Sequence, residues 1–320
     1  MSTPTPFVVD PVLTAIAVNY RNPDVALIAD QVMPRVPVMA PEFKWTYFPP
    51  EQMFTVPDTE VGRKGVVAQV EFTGEERTSS VKDYGLDDVI PQRDIDTARS
   101  LRAAGNAAFD PEARAVEGLT HLTQLDREKR VAAMVQDPAN YDADKKVTLS
   151  GAGQFSDPAS DPIGVISAAL DATFIMRPNI AAMGRKAWTA LSTHPDIIKA
   201  INRSSGDKGR ASREAVAELF ELSEILVGDS YVNAARKGQT AAFERVWGAN
   251  ISLIHRNMQA GPDGASPAWG WTAQFDGRVS GRFFDPKVGL KGATTLRVGE
   301  QIREVIAAPA TGYLIEGAAA

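Results

Sequence analysis

Residues 42–72 carry the pattern that most restricts the fold, because they are predicted to form a long two-stranded ribbon. At both ends of the segment, side chains of one face alternate with side chains of the other. One face holds Phe43, Trp45 and Tyr47 at the start, and Val66, Ala68, Val70 and Phe72 at the end. A period of two is typical of a strand with two unlike faces. Three prolines and a basic Gly-Arg-Lys-Gly turn lie between the two strands. An isolated hairpin is barely stable in water, so this ribbon needs another surface to lie against.

Composition excludes several classes of function. The 320 residues, 44% of them hydrophobic, can form one large domain or two ordinary ones with a real core. A net charge of −6 and a pI of about 5.3 argue against a nucleic-acid reader, which carries a basic patch or domain. The absence of cysteine excludes disulfides, thiolate nucleophiles and thiolate metal sites, and fits a reducing compartment. Neither a secretory signal nor a membrane-spanning run is predicted.

Residues 1–41 are predicted to form an N-terminal arm. Seven prolines interrupt this segment, and proline favours extended backbone while removing hydrogen-bond donors. Short helices are predicted from Asp10 to Val18 and from Asp24 to Val32. The apolar content argues against disorder, so we expect the arm to pack on something.

A very long helix is predicted next, over residues 110–136. Asp110 is the expected N-cap, with Pro111 at the first helical position and Glu112 in the first turn. A shorter helix with Asp94 as its cap precedes it. The apolar residues of the long helix are spaced by three and drift around its axis, while Asp126 and Arg130 are four residues apart. The two alternatives are a helix packed on several sides, partly by polar partners, and a solvated "DREKR" segment.

The remainder of the chain indicates a mixed α+β fold in which helices and strands are segregated. Strands are predicted near Val147, across "RPNIAAMG", and in the "EILVG" and "ANISLIHRN" segments. Helices are predicted after Pro162, around "RKAWTALST" with a break at Pro195, and across "REAVAELFEL". The glycine- and proline-rich segment 258–296 is predicted to hold aromatic strand fragments, and two strands are predicted near the end of the chain.

No motif predicts a catalytic residue, a cofactor-binding site or a metal site. No two of the three histidines have metal-ligand spacing. "GDSYV" around Ser230 lacks the second glycine of a nucleophile elbow, so a solvent-facing turn is the preferred interpretation. "GAGQFS" lacks the third glycine of a dinucleotide loop. Lys145 and Lys146 interrupt the calcium-loop spacing of Asp142 and Asp144.

The order of arm, ribbon, long helix and α+β remainder resembles the major capsid proteins of tailed phages, which share the HK97-type fold. The segments "IAVNYRNPDVALIADQVMPRVPV" and "LTQLDREKRVAAMVQDPANY" are similar to the N-terminal part and the spine helix of phage coat proteins. The resemblance implies five regions: an arm (1–41), an extended loop (42–90), a peripheral domain with its spine helix at about 110–136 (91–180), an axial domain (181–275) and return strands (276–320).

The resemblance also implies a function and its partners. The chain would be a structural coat protein, not an enzyme, that assembles into hexamers and pentamers of an icosahedral shell around double-stranded DNA. Scaffold, portal and decoration proteins would be further partners, and the protein would reside in the virion after assembly in the host cytoplasm. The predicted contacts between subunits are Phe43, Trp45, Tyr47, Arg63, Lys64, Asp126 and Arg130. By location, Lys44, Lys64 and Lys82 are the candidates for the lysine that some relatives crosslink, although the sequence identifies no acceptor.

Two alternatives stay open from the sequence. An encapsulin-like compartment would use the same fold to enclose a cargo enzyme. A hydrolase with Ser230 as its nucleophile would be an ordinary small enzyme. A tail-tube or other virion subunit is a further possibility within the same class of assembling proteins.

Overall fold

A computed structural model describes residues 8–9, 27–47, 55–61, 63, 65–67, 69–70, 75–104, 110–174, 176–202, 209–236, 238–262 and 267–320. The helices within these ranges are α1 (Ala29–Val32), α2 (Gln92–Ala103), α3 (Pro111–Val135), α4 (Pro162–Ala172), α5 (Arg185–Thr193), α6 (Pro195–Asn202) and α7 (Arg213–Leu219). Short 3-10 turns lie at Pro138–Asn140, Gly151–Gly153 and Pro309–Thr311. The predicted helix at 10–18 falls outside the described residues.

The described strands form two five-stranded sheets and two small ribbons. In chain order they are β1 (Val8–Val9), β2 (Arg35–Pro37), β3 (Glu42–Tyr47), β4 (Glu75–Ser80), β5 (Lys82–Pro91), β6 (Lys146–Thr148), β7 (Ile180–Gly184), β8 (Glu224–Gly228), β9 (Tyr231–Asn233), β10 (Phe243–Arg245), β11 (Ile251–Ile254), β12 (Gly270–Asp285), β13 (Ala293–Ile306) and β14 (Gly312–Glu316). The mixed α+β class is as predicted.

The first sheet is built on a long hairpin of β12 and β13. Its strand order is β1-β12-β13-β5, and β2 pairs in parallel with β12. The strand structure predicted for the glycine-rich segment is present, but as one long strand and not as fragments, since β12 runs continuously from Gly270 to Asp285. A register shift between Phe275 and Arg278 accommodates the irregularity. Asp276 and Gly277, both at positive φ, form this bulge.

The second sheet has the order β6-β14-β11-β7-β8 and carries most of the core. Helices α4 to α7 cover one face of it, where Trp188, Leu191 and Phe220 are buried with the strand residues. The opposite face receives the C-terminal end of α3, through Val131, Ala132 and Val135. The sheet is therefore covered on both faces, as its all-buried strands β7 and β11 require.

Helix α3 joins the two sheets and begins as predicted. Asp110 accepts hydrogen bonds from the backbone N–H groups of Glu112 and Ala113, and Pro111 occupies the first turn. The N-terminal part of α3 packs on the first sheet through Ala115, Val116 and Leu119. The predicted Asp94 cap of α2 is wrong, because that helix begins at Gln92 with Pro91 as the N-cap.

The spacing of the apolar residues of α3 does not identify which face of the helix is buried. Leu122 is 52% exposed, whereas the buried stripe continues from Leu119 through Thr120, Thr123, Arg127 and Glu128 to Val131. The helix therefore has one continuous buried face whose middle is polar. Of the two alternatives, packing by polar partners is correct for Arg127 and Glu128, and a solvated position is correct for Asp126 and Lys129.

The ribbon has a different strand pairing from the predicted one. Strand β3 pairs antiparallel with β4, from Glu42 opposite Ser80 to Tyr47 opposite Glu75. The described residues 65–67 and 69–70 are in no strand, so the predicted second strand at 66–72 is wrong over those positions. Phe72 lies outside the described residues. Glu75–Ser80 has no apolar alternation in the sequence, and its cross-strand partners in β3 hold it in the ribbon.

Candidate assembly surfaces

The segment between β3 and β4 exposes apolar side chains. Every described residue in the ranges 55–61, 63, 65–67 and 69–70 is exposed, and the side chain of Val66 is 92% exposed. Four further valines share this exposure: Val56, Val61, Val67 and Val70. Exposed apolar patches of this kind mark interaction sites. Arg63, a predicted contact, lies among them and is exposed, while Lys64 lies outside the described residues.

The base of the ribbon packs on its own chain. Phe43 is only 6% exposed, and its ring centroid lies 5.8 Å from that of Trp271 in β12 and 5.9 Å from that of Trp45. Val36 and Val38 from the arm complete this apolar cluster, against which Trp45 is partly buried. Its own arm and β12 thus enclose the side chain of Phe43, and the role of Phe43 as a contact between subunits stays a prediction. The backbone of Tyr47 lies in β3, and its side chain lies outside the described part of the chain.

Glu128 fixes the arm to α3. Its side chain is buried, with 0% exposure, and accepts hydrogen bonds from the backbone N–H groups of Ile28 (2.9 Å) and Ala29 (2.8 Å). A third bond comes from the indole N–H of Trp247, at 2.6 Å. A carboxylate at the first N–H groups of a helix satisfies donors that have no helical partner. Glu128 therefore caps α1 from a distant part of the chain, since α1 has no side-chain cap of its own.

Arg127 holds the other end of α1. The buried guanidinium donates to the backbone carbonyl of Met33 (3.1 Å) and to the hydroxyl of Thr272 (2.8 Å), and it pairs with Asp30. A cation at the C-terminal carbonyls complements the helix dipole. Two adjacent residues of α3 thus hold both ends of one short helix, with the charge that each end favours.

An ionic cluster continues from the half-exposed Asp30 to the buried Glu300 of the first sheet. Arg35 bridges Asp30 (2.7 Å) and Glu300 (2.8 Å), and Arg278 also reaches Glu300 at 3.2 Å. Burial by itself raises the pKa of Glu300, but Arg35, Arg278 and Arg127 outweigh it and hold that pKa below its usual range. Burial raises the pKa of Glu128, against the lowering effect of the bonds from Ile28 and Trp247. These charges stabilise the arm where it crosses β12 and β13.

Of the predicted pair on α3, Arg130 is partly buried and Asp126 is exposed. Arg130 pairs with Asp126, lies 3.2 Å from Glu304 of β13, and places its guanidinium 3.7 Å above the ring of Tyr84. Asp126 has a side chain that is 57% exposed. The guanidinium of Arg130 therefore has partners in its own chain, and Asp126 remains a predicted contact between subunits.

The candidate crosslinking lysines are placed as follows. Lys44 lies in β3 and pairs with Glu76 across the ribbon at 2.9 Å, with both side chains largely exposed. Lys82 begins β5 and is exposed. Lys64 lies outside the described residues. Crosslinking by any of the three stays a prediction.

Ser230 lies in the protein interior. It is 1% exposed, so the predicted solvent-facing turn is wrong, and its Oγ has no hydrogen-bond partner among the described residues. The buried His194 contacts Ser160 at 3.2 Å and the carbonyl of Asp157. In the described ranges, no group of three or more histidines and carboxylates is arranged to hold a metal ion. No helix of that part of the chain has the length and apolar character needed to cross a membrane.

Sequence reasoning missed Arg127, Glu128 and Thr272 as positioning residues. An i,i+4 extension of the Val116–Leu119 stripe reaches Thr123, Arg127 and Val131, so the helical period itself contains the signal. The charged identity of Arg127 and Glu128 hid it, because such residues are almost never fully buried unless they are paired.

The protein is similar to named phage proteins along nearly its whole length. It is 44% identical over 315 residues to the major capsid protein of Pseudomonas phage JBD67, covering 98% of each chain. It is 31% identical over 318 residues to the major capsid protein of Burkholderia phage BcepMu, covering 97% of this chain and 96% of the other. No family model matches the sequence.

Solved structures give the fold. A phage-related protein from Bordetella bronchiseptica RB50 superposes with a TM-score of 0.74 at 26% identity, covering 98% of this chain and 99% of that one. The capsid of the native GTA particle superposes with a TM-score of 0.59 at 14% identity, covering 100% and 95%. The fold is the HK97-type fold of phage capsid proteins. With two full-length relatives above 30% identity, the chain belongs to the family of phage major capsid proteins.

Proposed function

We propose that the protein is a structural coat subunit that self-assembles into the icosahedral head shell enclosing phage double-stranded DNA. The observation that carries this proposal is the ribbon. Its described valines are exposed in the subunit, although the same chain has two sheets that bury other apolar side chains. Apolar surface left outside a folded subunit is stabilised when it is buried against other copies.

In this assembly the contacts are heterologous, so one patch of a subunit meets a different patch of the next copy, and closed rings follow from the angle between them. Hexamers and pentamers are the rings that such a shell needs. We assign contacts with other subunits to Arg63, Asp126 and the exposed valines. We also propose that the chain is divided as predicted into an arm, an extended loop, a peripheral domain, an axial domain and return strands. Scaffold, portal and decoration proteins are proposed as further partners, and assembly in the host cytoplasm is proposed to precede residence in the virion.

The charge of the subunit suits a container. A net charge of −6 supports a shell wall that encloses packed DNA with few basic phosphate contacts, because each such contact adds salt-dependent adhesion. We propose no catalytic role. The interior position of Ser230 places its hydroxyl away from solvent and from substrate.

The test is electron microscopy of the purified protein in negative stain, with gel filtration alongside. We expect closed shells from the full chain. A version lacking residues 50–66 should fold, with the circular dichroism and thermal midpoint of the full-length subunit, but form no complete shells. A full chain that elutes as a monomer to tetramer and shows no particles under any assembly condition would contradict the proposed function.

A further inference from the structure

A pocket lies beside helix α5, at the place where strands β7 and β8 of the second sheet end. These two strands are parallel, and Gly184 at the end of β7 is paired with Gly228 at the end of β8. Helix α5 begins directly after Gly184, at Arg185. The pocket has a volume of about 580 Å³, a size typical of pockets for small organic ligands. The carboxyl ends of neighbouring parallel strands are also where open α/β sheets bind ligands.

The charged side chains that line this pocket are all cationic. They are Arg185, Lys186 and Arg245, and no Asp or Glu side chain of the described residues lies among them. The chain as a whole has the opposite balance, with 40 acidic and 34 basic residues. Ala320 lies on the edge of the pocket and makes no ion pair with the three cations in the described part of the chain. A cavity of this charge in an acidic protein indicates an anionic occupant.

Asp229 fixes two of the three cations without lining the pocket itself. Its Oδ2 accepts hydrogen bonds from Nε and Nη2 of Arg185, at 3.1 and 2.8 Å, and its Oδ1 accepts one from Arg245. The guanidinium of Arg245 also lies 4.5 Å above the ring of Tyr231. The hydrogen bonds from Arg185, and then those from Arg245, hold the pKa of Asp229 below its usual range. The carboxylate is therefore charged at neutral pH, and both guanidiniums are held in place before a ligand arrives.

The charge that remains after these pairings selects the class of anion. A guanidinium carries five N–H donors, and the bonds to Asp229 use only part of the set on Arg185 and on Arg245. Lys186 is exposed and has no ion-pair partner among the described residues. Three cations and one carboxylate leave two positive charges to balance. A phosphate monoester, which carries a charge of about −1.5 to −2 at pH 7, matches them, whereas a carboxylate or a phosphodiester supplies a single negative charge.

The rest of the pocket has room for an organic group attached to the phosphate. Thr189 and Thr193 line it from the same face of α5 as Lys186. Both threonine hydroxyls donate to backbone carbonyls of the helix, at 2.9 and 2.8 Å, so their oxygens are still able to accept hydrogen bonds. Phe155 and Pro158 add apolar surface. A wall that combines hydroxyl oxygens with apolar side chains is typical of a site for a small organic molecule.

We propose that this pocket binds a phosphate monoester of a small organic molecule, such as a mononucleotide, and that Arg185, Lys186 and Arg245 contact its phosphate group. The same chemical group is present at the 5′-phosphate of a DNA strand, which is a second source of it. Binding of this kind goes beyond the proposed shell function and does not depend on assembly.

Calorimetric titration of the full-length, unassembled subunit tests the proposal with two matched probes. Adenosine 5′-monophosphate carries a phosphate monoester, and adenosine 3′,5′-cyclic monophosphate has the same base and ribose but a singly charged phosphodiester. We expect the monoester to bind at least about tenfold more tightly, because charge-assisted hydrogen bonds to a doubly charged group are the stronger ones. Inorganic phosphate should compete with it. Equal affinities for the two nucleotides, or no binding of the monoester at about 1 mM, overturn the proposal.

Variants of the pocket are the second test. Lys186→Gln removes an exposed cation and should weaken binding of the monoester by about tenfold. Thr189→Asp adds a negative charge on the same face of α5 and should abolish binding. The control is Lys287→Gln, which removes an exposed lysine from the turn between β12 and β13, outside the pocket, and it should bind like the unchanged protein. Thermal midpoints show that the variants are folded. Unchanged binding by folded Lys186→Gln and Thr189→Asp overturns the proposal.

Competition with single-stranded oligonucleotides of one sequence separates the two sources of the phosphate group. Displacement of the mononucleotide only by the 5′-phosphorylated strand supports the proposal with a DNA end as a ligand. No displacement by either strand supports it with a free nucleotide as the ligand. Equal displacement by the 5′-phosphorylated and the 5′-hydroxyl strand would mean that internal phosphodiesters bind, and it overturns the proposal. Electron microscopy of Lys186→Gln should show normal shells, so a failure of this pocket assignment leaves the shell function standing.

Discussion

Helix α3 and the ribbon of β3, β4 and their connecting segment are both elongated, but they differ in where they place charged and apolar side chains. Helix α3 buries Arg127 and Glu128 and provides partners for both from the same chain. The ribbon leaves Val56 and Val66 in solvent and provides no cover for them. In the helix, polar groups are placed inside. In the ribbon, apolar groups are placed outside.

This difference separates folding from assembly. Buried charges are tolerated only when the subunit itself pairs them, because an unpaired charge in the interior is very costly. Exposed valines cost a folded subunit little, since many apolar residues are exposed on any protein. The interior of α3 is therefore complete before assembly, while the ribbon gains its partners afterwards. Variants of the two regions should accordingly affect different measurements.

The largest effect on subunit stability is expected from Glu128→Ala. It leaves the N–H groups of Ile28, Ala29 and Trp247 without an acceptor and removes the carboxylate beside Arg127. We expect the free energy of unfolding to fall by about 3 kcal/mol, in the range measured when one member of a buried polar set is removed. Urea unfolding of the unassembled subunit measures this change.

Glu117→Ala is the matched control for Glu128→Ala, because it changes the same residue type on the exposed face of the same helix. Its effect should stay within about 0.5 kcal/mol, as is usual for surface substitutions. Equal effects from the two variants would show that the hydrogen bonds from Glu128 to the start of α1 do not stabilise the arm.

A smaller loss of stability is expected from Trp45→Ala. The sequence predicted Trp45 as a contact between subunits, but in the subunit Trp45 packs on the cluster of Phe43 and Trp271 at the base of the ribbon. We now expect a loss of about 2 kcal/mol, below the range for a fully buried aromatic residue. Thermal unfolding of the subunit measures it.

Val66→Thr is the matched change at the exposed part of the ribbon. It should leave the thermal midpoint unchanged and lower the yield of shells. If Trp45→Ala instead leaves stability intact and only reduces assembly, the aromatic base of the ribbon belongs to the interface after all.

How much the sequence predicted follows the same division. The start of α3 was predictable, because an N-cap, a proline and an acidic first turn are local signals. The buried stripe of α3 was not, because the pairing of Arg127 with Asp30 and Met33 depends on residues about a hundred positions away. That the ribbon needs a surface beyond its own two strands was predictable, because an isolated hairpin is barely stable in water. The packing of Phe43 was not predictable, because Trp271 is distant in the sequence and contacts Phe43 only in the folded chain.

Acid should weaken the ionic cluster through Glu300. Arg35, Arg278 and Arg127 keep its pKa in the folded protein below the ordinary value of 4.5. As the pH falls below 4.5 the unfolded chain takes up a proton while folded Glu300 stays charged, so stability is lost until the pH passes the folded pKa. The ionisation of Glu128 acts in the opposite sense, because burial raises its pKa, so that ionising this carboxyl lowers stability as the pH rises through the folded pKa.

Urea unfolding of the subunit between pH 7 and pH 3 measures the balance, and Glu300→Gln should remove the part that is lost in acid. An acid dependence that is identical in Glu300→Gln and the unchanged protein would place its origin in other carboxylates.

The smallest effect on stability is expected from Asp126→Ala. This variant tests whether Asp126 behaves like the buried residues of α3 or like the exposed valines of the ribbon. Its partner Arg130 keeps Glu304 and the ring of Tyr84, and exposed i,i+4 pairs contribute about 0.3–0.5 kcal/mol. Urea unfolding should therefore change by no more than that amount. If Asp126 is a contact between subunits, as predicted, the yield of shells falls while stability holds, and the exposed end of the pair behaves like the valines of the ribbon. If stability falls by more than about 1 kcal/mol, a magnitude that surface pairs rarely reach, Asp126 belongs with Arg127 and Glu128 to the subunit's own interior.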